Sequence, residues 1–482
     1  MAGIVDATEK NKDDIPPSKL ATVHSGREDD NQSTTSTKHS MLTVYDPKAV
    51  HLHSEKCPAT NAIDGADGQE QQHPYRWYIL VGGFLAQAVS NSILSSWGED
   101  KDIALSIFRG IMQNYYDHNV FHGTVDATKL NFVATIALTF CGLLGPVNQI
   151  LTDLFRGPRT IMGVSTVLMS LGLFSASYST EIWHLYLTQS ILYGIGSALF
   201  FIISMAICPM WFPRNRGLAM GVIVSGSGVG GLVTPFIMHA LNESLGGAWC
   251  YRILALLTLV LGSLVTLLLR ERNERSNKDA NAISLDLNVF RSLDFCIWCV
   301  AGNLCTMAYF IPAFYLPSYA SRLGLTTARG SQLVAVFSAT NIIGRLLSGY
   351  LGDKLGALNV NISFLAMGGA SSLFMWHYAT NFAELVAFVV VYGIMSATVF
   401  TLIAPITATV TGNEKYSSGI SLYLFALTFA RLGPSIAGAI QAATSKDSFD
   451  ALQMFAGWAF FSSALVATCL RFKMKPSLLA KI

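Results

Sequence analysis

After a polar stretch at residues 1–73, apolar runs of about 20 residues recur along the chain, parted by shorter polar turns. In an α-helix such a run crosses the ~30 Å hydrocarbon core of a bilayer, since each residue rises about 1.5 Å. Twelve spans are predicted, at 75–97, 130–151, 160–179, 182–208, 216–240, 251–270, 292–320, 328–350, 357–377, 383–411, 417–441 and 449–472. The longest polar interruption among them is 98–129, and the most charged runs from Arg270 to Arg291, between spans 6 and 7. The pattern therefore predicts an all-α integral membrane protein of twelve transmembrane helices in two six-helix halves. The halves are 74–270 and 292–472, joined by a cytoplasmic central loop at 271–291 and followed by a tail at 473–482.

Composition removes the soluble alternatives. Charged residues make up 13% of the chain and hydrophobic ones 51%, whereas soluble domains carry about 25% charge. The net charge of +2 gives no footprint for a nucleic-acid partner. Residues 1–73, rich in Ser, Thr, Asp, Lys and His, bury too little apolar surface to offset ordering entropy, so a disordered cytoplasmic tail is expected. This tail has no cleavable leader pattern, which leaves the first span as the insertion signal. Of the eight cysteines, Cys296 and Cys299 lie one helical turn apart inside an apolar run and read as small packing residues, and none has a histidine at metal-ligand spacing, so no metal and no cofactor is expected.

Lys and Arg in the short loops set the orientation. With the first span entered from the cytoplasm, the inside loops and C-terminal tail carry fifteen and the outside loops six. Both termini are expected in the cytoplasm.

Two stretches at matching places in the halves carry the motif chemistry. Between spans 8 and 9 the chain reads Gly349-Tyr-Leu-Gly-Asp353-Lys354-Leu-Gly356. Here Gly permits close helix approach, Asp353 suits a helix N-terminus and Lys354 supplies a cytoplasmic charge. Between spans 2 and 3 the partner stretch holds Gly145-Pro146, then Asp153, Arg156, Gly157 and Arg159, with Arg156 as an extra residue. Span 5 opens Trp211-Phe212-Pro213-Arg214-Asn215-Arg216-Gly217 and continues through Gly221 and Ser225 to Gly231. Gly217, Gly221 and Ser225 form a small-x-x-x-small row for close packing, with Gly433-Pro434-Ser435 and Gly438 as the counterpart in span 11.

These motifs resemble the major facilitator superfamily, and within it the fungal branch of the monocarboxylate-transporter-like family. The resemblance covers about 75–472 and implies the major facilitator fold, with a central site between halves that rock in alternating access. It also exposes a departure. After Ser95-Ser96-Trp97-Gly98 the family continues with aliphatic residues, Gln and aromatics, which here resume at Ile111-Met112-Gln113-Asn114-Tyr115-Tyr116. Residues 99–110 read as an insertion.

Ionisable groups at bilayer depth are costly and mark function. Arg345 lies in span 8, where animal relatives carry an Asp/Arg pair at i, i+4 and the Arg binds the carboxylate. Here the pair is Asn341 and Arg345, and the animal span 1 Lys falls near Ser95. Carboxylate binding by Arg345 is retained in this resemblance, while proton coupling in the animal manner is not. A structural charge at the cytoplasmic edge is the alternative for Arg345. Arg431 in span 11 either lines the cavity or ties helices, and Asp294 opens span 7 as a cap or gate partner. By resemblance the cavity lies between spans 1, 4, 7 and 10, whose polar and aromatic candidates are Asn91, Gln189, Tyr193, Asn303, Tyr309, Tyr315 and Tyr392. Pro312 and Pro317 predict a bending gate in span 7.

The expected function is a secondary transporter for a small organic solute, a monocarboxylate or related metabolite, with or without a proton, working as a monomer. Plasma membrane is favoured over vacuole. Export of another metabolite, such as a secondary metabolite or vitamin, and solute sensing without flux are the alternatives. A channel filter, a clustered catalytic site and a P-loop are each missing from the sequence.

Overall fold

The computed structural model describes residues 74–92, 112, 115–121, 127–155, 157–270, 285–444 and 449–475. The tail at 1–73, the insertion at 99–110, Arg156, 271–284 and 476–482 lie outside the described residues, as does the Asn91 side chain. All regular structure among the described residues is helical.

Twelve helical units occupy the twelve predicted places. They are α1 (Tyr75–Ser92), α2 (Ala127–Leu143 with Gly145–Leu154) and α3 (Pro158–Ala176), then α4 (Ile182–Trp211), α5 (Arg216–Leu245) and α6 (Gly247–Leu268). The second half holds α7 (Leu293–Arg322), α8 (Thr327–Leu355), α9 (Ala357–Trp376), α10 (Phe382–Thr411), α11 (Tyr416–Gln441) and α12 (Asp450–Met474). Among the described residues, ten are long and apolar enough to cross a membrane one by one, and the bent α2 makes eleven. The 18-residue α1 fills the remaining place.

Local chemistry sets the boundaries. Pro146 and Pro158 fall in the first turns of their helical segments, where a missing N–H costs no hydrogen bond. Asn381 caps α10, its Oδ1 accepting the Glu384 N–H at 3.0 Å. Gly356, with φ of 98°, turns the chain from α8 into α9 through a conformation that a side chain would resist.

Hydrogen bonds define two ends of the bundle. At the proximal end, where α1 begins, the Tyr75 hydroxyl donates to the Leu268 carbonyl and Trp211 Nε1 donates to that of Arg270. Arg159 donates to the carbonyls of Leu269 and Leu267, capping the terminus of α6. In the second half Lys473 pairs with Asp294 at 2.7 Å, and Arg471 donates to Asn359. At the distal end the two halves repeat one joint. Tyr116 donates to the Ala176 carbonyl at 2.9 Å, and Tyr319 donates to that of Ala379 at 3.0 Å.

Glycine rows join helices within each half as well. Gly226 and Gly230 of α5 lie against the backbone of Phe84 and Ala88 in α1, while Gly433 of α11 lies against Met307 in α7. The span 11 glycines thus pair α11 with α7, as part of the α5 row pairs with α1.

One expectation is corrected. The Gly349–Gly356 stretch, placed between spans 8 and 9, is not a loop: α8 runs through Leu355, so Asp353 and Lys354 ride on its last turns. α7 continues past its two prolines, from Leu293 to Arg322. Pro312 cannot donate to the carbonyl four residues back, at Ala308. The Tyr392 hydroxyl of α10 donates there instead, at 3.2 Å, which compensates the missing bond. Breaks occur elsewhere. α2 bends by 56° at Leu144, and α11 passes through a 3₁₀ turn at Phe429–Leu432.

Candidate functional site

The two halves meet along two seams, one between α5 and α8 and the other between α2 and α11. In the first, a Cβ built on Gly217 would come within 2.5 Å of the Gly349 carbonyl oxygen, and one on Gly221 within 2.5 Å of the Arg345 carbonyl oxygen. The backbones themselves are in contact, as the small-residue row anticipates.

This approach exposes the start of α5 to α8. The first N–H groups of a helix have no partner within it, and Asn215, at the N-cap of α5, supplies no side-chain hydrogen bond. Asp353 supplies it from the other half. Its Oδ1 accepts the Gly217 N–H at 2.8 Å and its Oδ2 accepts the Leu218 N–H at 2.7 Å. A carboxylate at a helix N-terminus also meets the positive end of the helix dipole. Lys354 lies over the Tyr350 ring at 4.4 Å, in a cation–π contact.

Two turns further into the bundle, Arg345 crosses the same seam. It is 6% exposed, and its Nη1 donates to the Val224 carbonyl at 2.6 Å and to Ser227 Oγ at 2.7 Å. One turn on, Asn341 binds within its own half, donating to the Gly393 carbonyl at 3.1 Å and accepting from the Tyr309 hydroxyl at 3.3 Å.

The second seam is built on the bent α2. A Cβ on Gly142 would strike Thr428, and one on Gly145 the Ser421 carbonyl. Tyr416, at the start of α11, donates to the Met205 carbonyl of α4 at 3.0 Å. Just beyond this contact lies the 3₁₀ turn with Arg431. Its Nε and the Thr428 Oγ1 are buried without hydrogen-bond partners among the described residues.

The remaining sequence candidates make hydrogen bonds to other described residues or join an aromatic cluster. Gln189 is buried and accepts from Tyr251 at 2.6 Å, while Tyr193 donates to the Ser90 carbonyl at 3.4 Å. Asn303 donates to Cys299 within α7, and Tyr315 donates to the Pro434 carbonyl. Tyr309 meets Phe310 and Phe400 edge to face, at 4.9 and 5.1 Å between ring centroids. Asp153 is buried near the end of α2. Sequence reading missed Val224, Ser227 and Thr428. Ser227 lay in the Gly- and Ser-rich stretch of span 5 and Thr428 one turn from Arg431, so both were visible as neighbours; the Val224 carbonyl had no side-chain signal.

At the proximal edge, Lys415 pairs with Asp286 at 2.8 Å. That pairing, with help from the Asn288 N–H, holds the Asp286 carboxyl below its usual range.

Comparison with known proteins agrees with this architecture. The Major Facilitator Superfamily model matches residues 79–438. An MFS-type transporter of Gibberella moniliformis is 31% identical over 73% of this chain and 84% of its own. "Probable transporter MCH2" of Saccharomyces cerevisiae is 27% identical over 82% of each chain. The agnestins efflux protein AgnL12 of Paecilomyces divaricatus is 28% identical over 84% of this chain and 89% of its own.

Proposed function

Because the chain belongs to the Major Facilitator Superfamily of membrane transporters, we propose that it carries a small organic acid, a monocarboxylate or related metabolite, by alternating access. The observation that carries this reading is the first seam, where Arg345 and Asp353 of one half bind backbone of the other across glycine. Such a contact is whole or broken, so it suits two rigid halves that rock between discrete states. Here the seam is closed near the proximal end. With the Lys and Arg bias of the loops, that end faces the cytoplasm and both termini lie inside. The plasma membrane is the proposed location and the monomer the working unit.

The substrate class rests on membrane-embedded guanidinium groups, which match carboxylates in charge and shape. Asn341 cannot titrate, so a proton is not expected to travel in the animal manner. Residues 99–110 are read as an insertion in the first span. Tyr116 lies 41 positions after Tyr75, whereas Tyr319 lies 26 after Leu293 at the equivalent joint.

The test is flux of labelled carboxylates and neutral metabolites in proteoliposomes, with and without a proton gradient. Carboxylate flux indifferent to the gradient is expected. Neutral metabolites moving while carboxylates do not would overturn the organic-acid reading. Export of a secondary metabolite is the second reading. It is favoured by the names of relatives, the agnestins efflux protein and the fujikurins efflux protein of Gibberella fujikuroi, 26% identical over 82% of this chain. Flux confined to larger polycyclic products would select it.

A further inference from the structure

We propose that Arg431, with the Thr428 hydroxyl, is the anion-binding site of this carrier, and that its ligand is an organic acid with an aromatic-sized apolar body. This rests on the organic-acid reading above and names both the site and the ligand class. Of the arginines at the seams, Arg345 and Arg431 lie within the apolar spans 8 and 11. The Nε of each, like that of Arg216 at the start of α5, is buried without a partner among the described residues. The terminal nitrogens of Arg345 and Arg431 differ in what they touch. Arg345 is committed, its Nη1 held by the Val224 carbonyl and Ser227 of α5. No hydrogen bond or ion pair joins the Arg431 guanidinium to the described residues, and its Nε is buried. A guanidinium left so at bilayer depth is costly, and an anion removes that cost.

Three further features point the same way. Thr428 lies one turn before Arg431 and also carries a buried hydroxyl oxygen without a partner, so two donors are available at one place. Thr428 borders and Arg431 lies within a discontinuity: α11 is interrupted at Phe429–Leu432, and the facing α2 is bent by 56° at Leu144. Interrupted helices are where transporters build solute sites, because irregular backbone needs partners that a solute can provide. Finally, Gly433 brings α11 against Met307 of α7. Next along α7 stand Tyr309 and Phe310, which meet Phe400 of α10 at 5.1 and 6.2 Å. Phe310 and Phe400 are half-buried, leaving ring surface for an apolar body. The carboxylate end binds Arg431 and Thr428, and the body rests on the α7–α10 aromatics. Arg345 is then a strut across the other seam.

The experiment compares benzoate with its neutral analogue benzamide as thermal-shift ligands of the purified full chain in lipid nanodiscs. Wild type is expected to be stabilised by benzoate at concentrations at least tenfold below those needed for benzamide. Arg431→Gln should abolish that discrimination, Arg431→Lys should keep part of it, and Thr428→Val should reduce benzoate affinity several-fold. Thr428→Val and Arg431→Lys keep the test decisive where Arg431→Gln does not fold. Discrimination that survives Arg431→Gln, or an unchanged benzoate response in Thr428→Val and Arg431→Lys, overturns this site while leaving the organic-acid reading standing. A wild type that does not distinguish the two ligands overturns both.

Discussion

Asp353 caps α5 from the opposite half of the molecule, its Oδ1 2.8 Å from the Gly217 nitrogen. The bond spans 136 positions of sequence, so a helix that begins in one half is completed by a side chain of the other. Asp353→Ala should therefore destabilise the proximally closed state by about 1 kcal/mol, or roughly fivefold in population. Asp353→Asn keeps an acceptor but loses the charge, and should fall between. Distances between spin labels placed at the proximal ends of α5 and α8 check the order.

The glycine contacts predict a steeper response. A Cβ on Gly217 or Gly221 would stand 2.5 Å from a carbonyl oxygen of α8, and overpacking of this kind costs about 1–3 kcal/mol. Gly217→Val should cut flux about tenfold or more while leaving the fold intact. Flux in proteoliposomes, read beside monodispersity on size exclusion, separates the two.

Asn341→Asp probes the position where animal relatives titrate. Asn341 both donates to Gly393 and accepts from Tyr309, and an aspartate can donate only when protonated. The variant should melt lower than wild type at neutral pH and recover toward it as the pH is lowered. A thermal melt at several pH values reads this directly.

At the proximal edge, the Asp286 carboxyl is held below its usual range chiefly by Lys415. A depressed pKa contributes stability that is present above the ordinary carboxylate range and is lost as pH falls through the lowered value. Hydrogen exchange at Asn288, whose N–H donates to Asp286 at 2.9 Å, should quicken relative to the α7 core in acid. Lys415→Gln should show the same relative quickening already at neutral pH.

The sequence revealed most of the architecture, because bilayer thickness imposes one length on every span and leaves little room for other patterns. Gly217 and Gly221 were legible as a packing face for the same reason, since close helices need small residues at i and i+4. What lay across that face was not legible. Periodicity places Tyr392 on a helix, but it does not say that Pro312 on another helix has left a carbonyl for it to bind. Gln189 and Tyr193 read as cavity residues, and their hydrogen bonds to Tyr251 and to the Ser90 carbonyl on other helices were not legible. The motif around Asp353 was placed between spans because the apolar run ends near Tyr350, whereas the helix extends past that run to reach its partner.

The α5–α8 seam has a consequence for the kinetics of rocking. Gly217 faces Gly349 backbone to backbone, so at that point few side chains need to change rotamer when the surfaces part. It behaves as a dry bearing, with little friction from side-chain rearrangement and almost no tolerance for added material. A single methyl group there should change the turnover rate more than a much larger substitution on the lipid-facing side of the same helix.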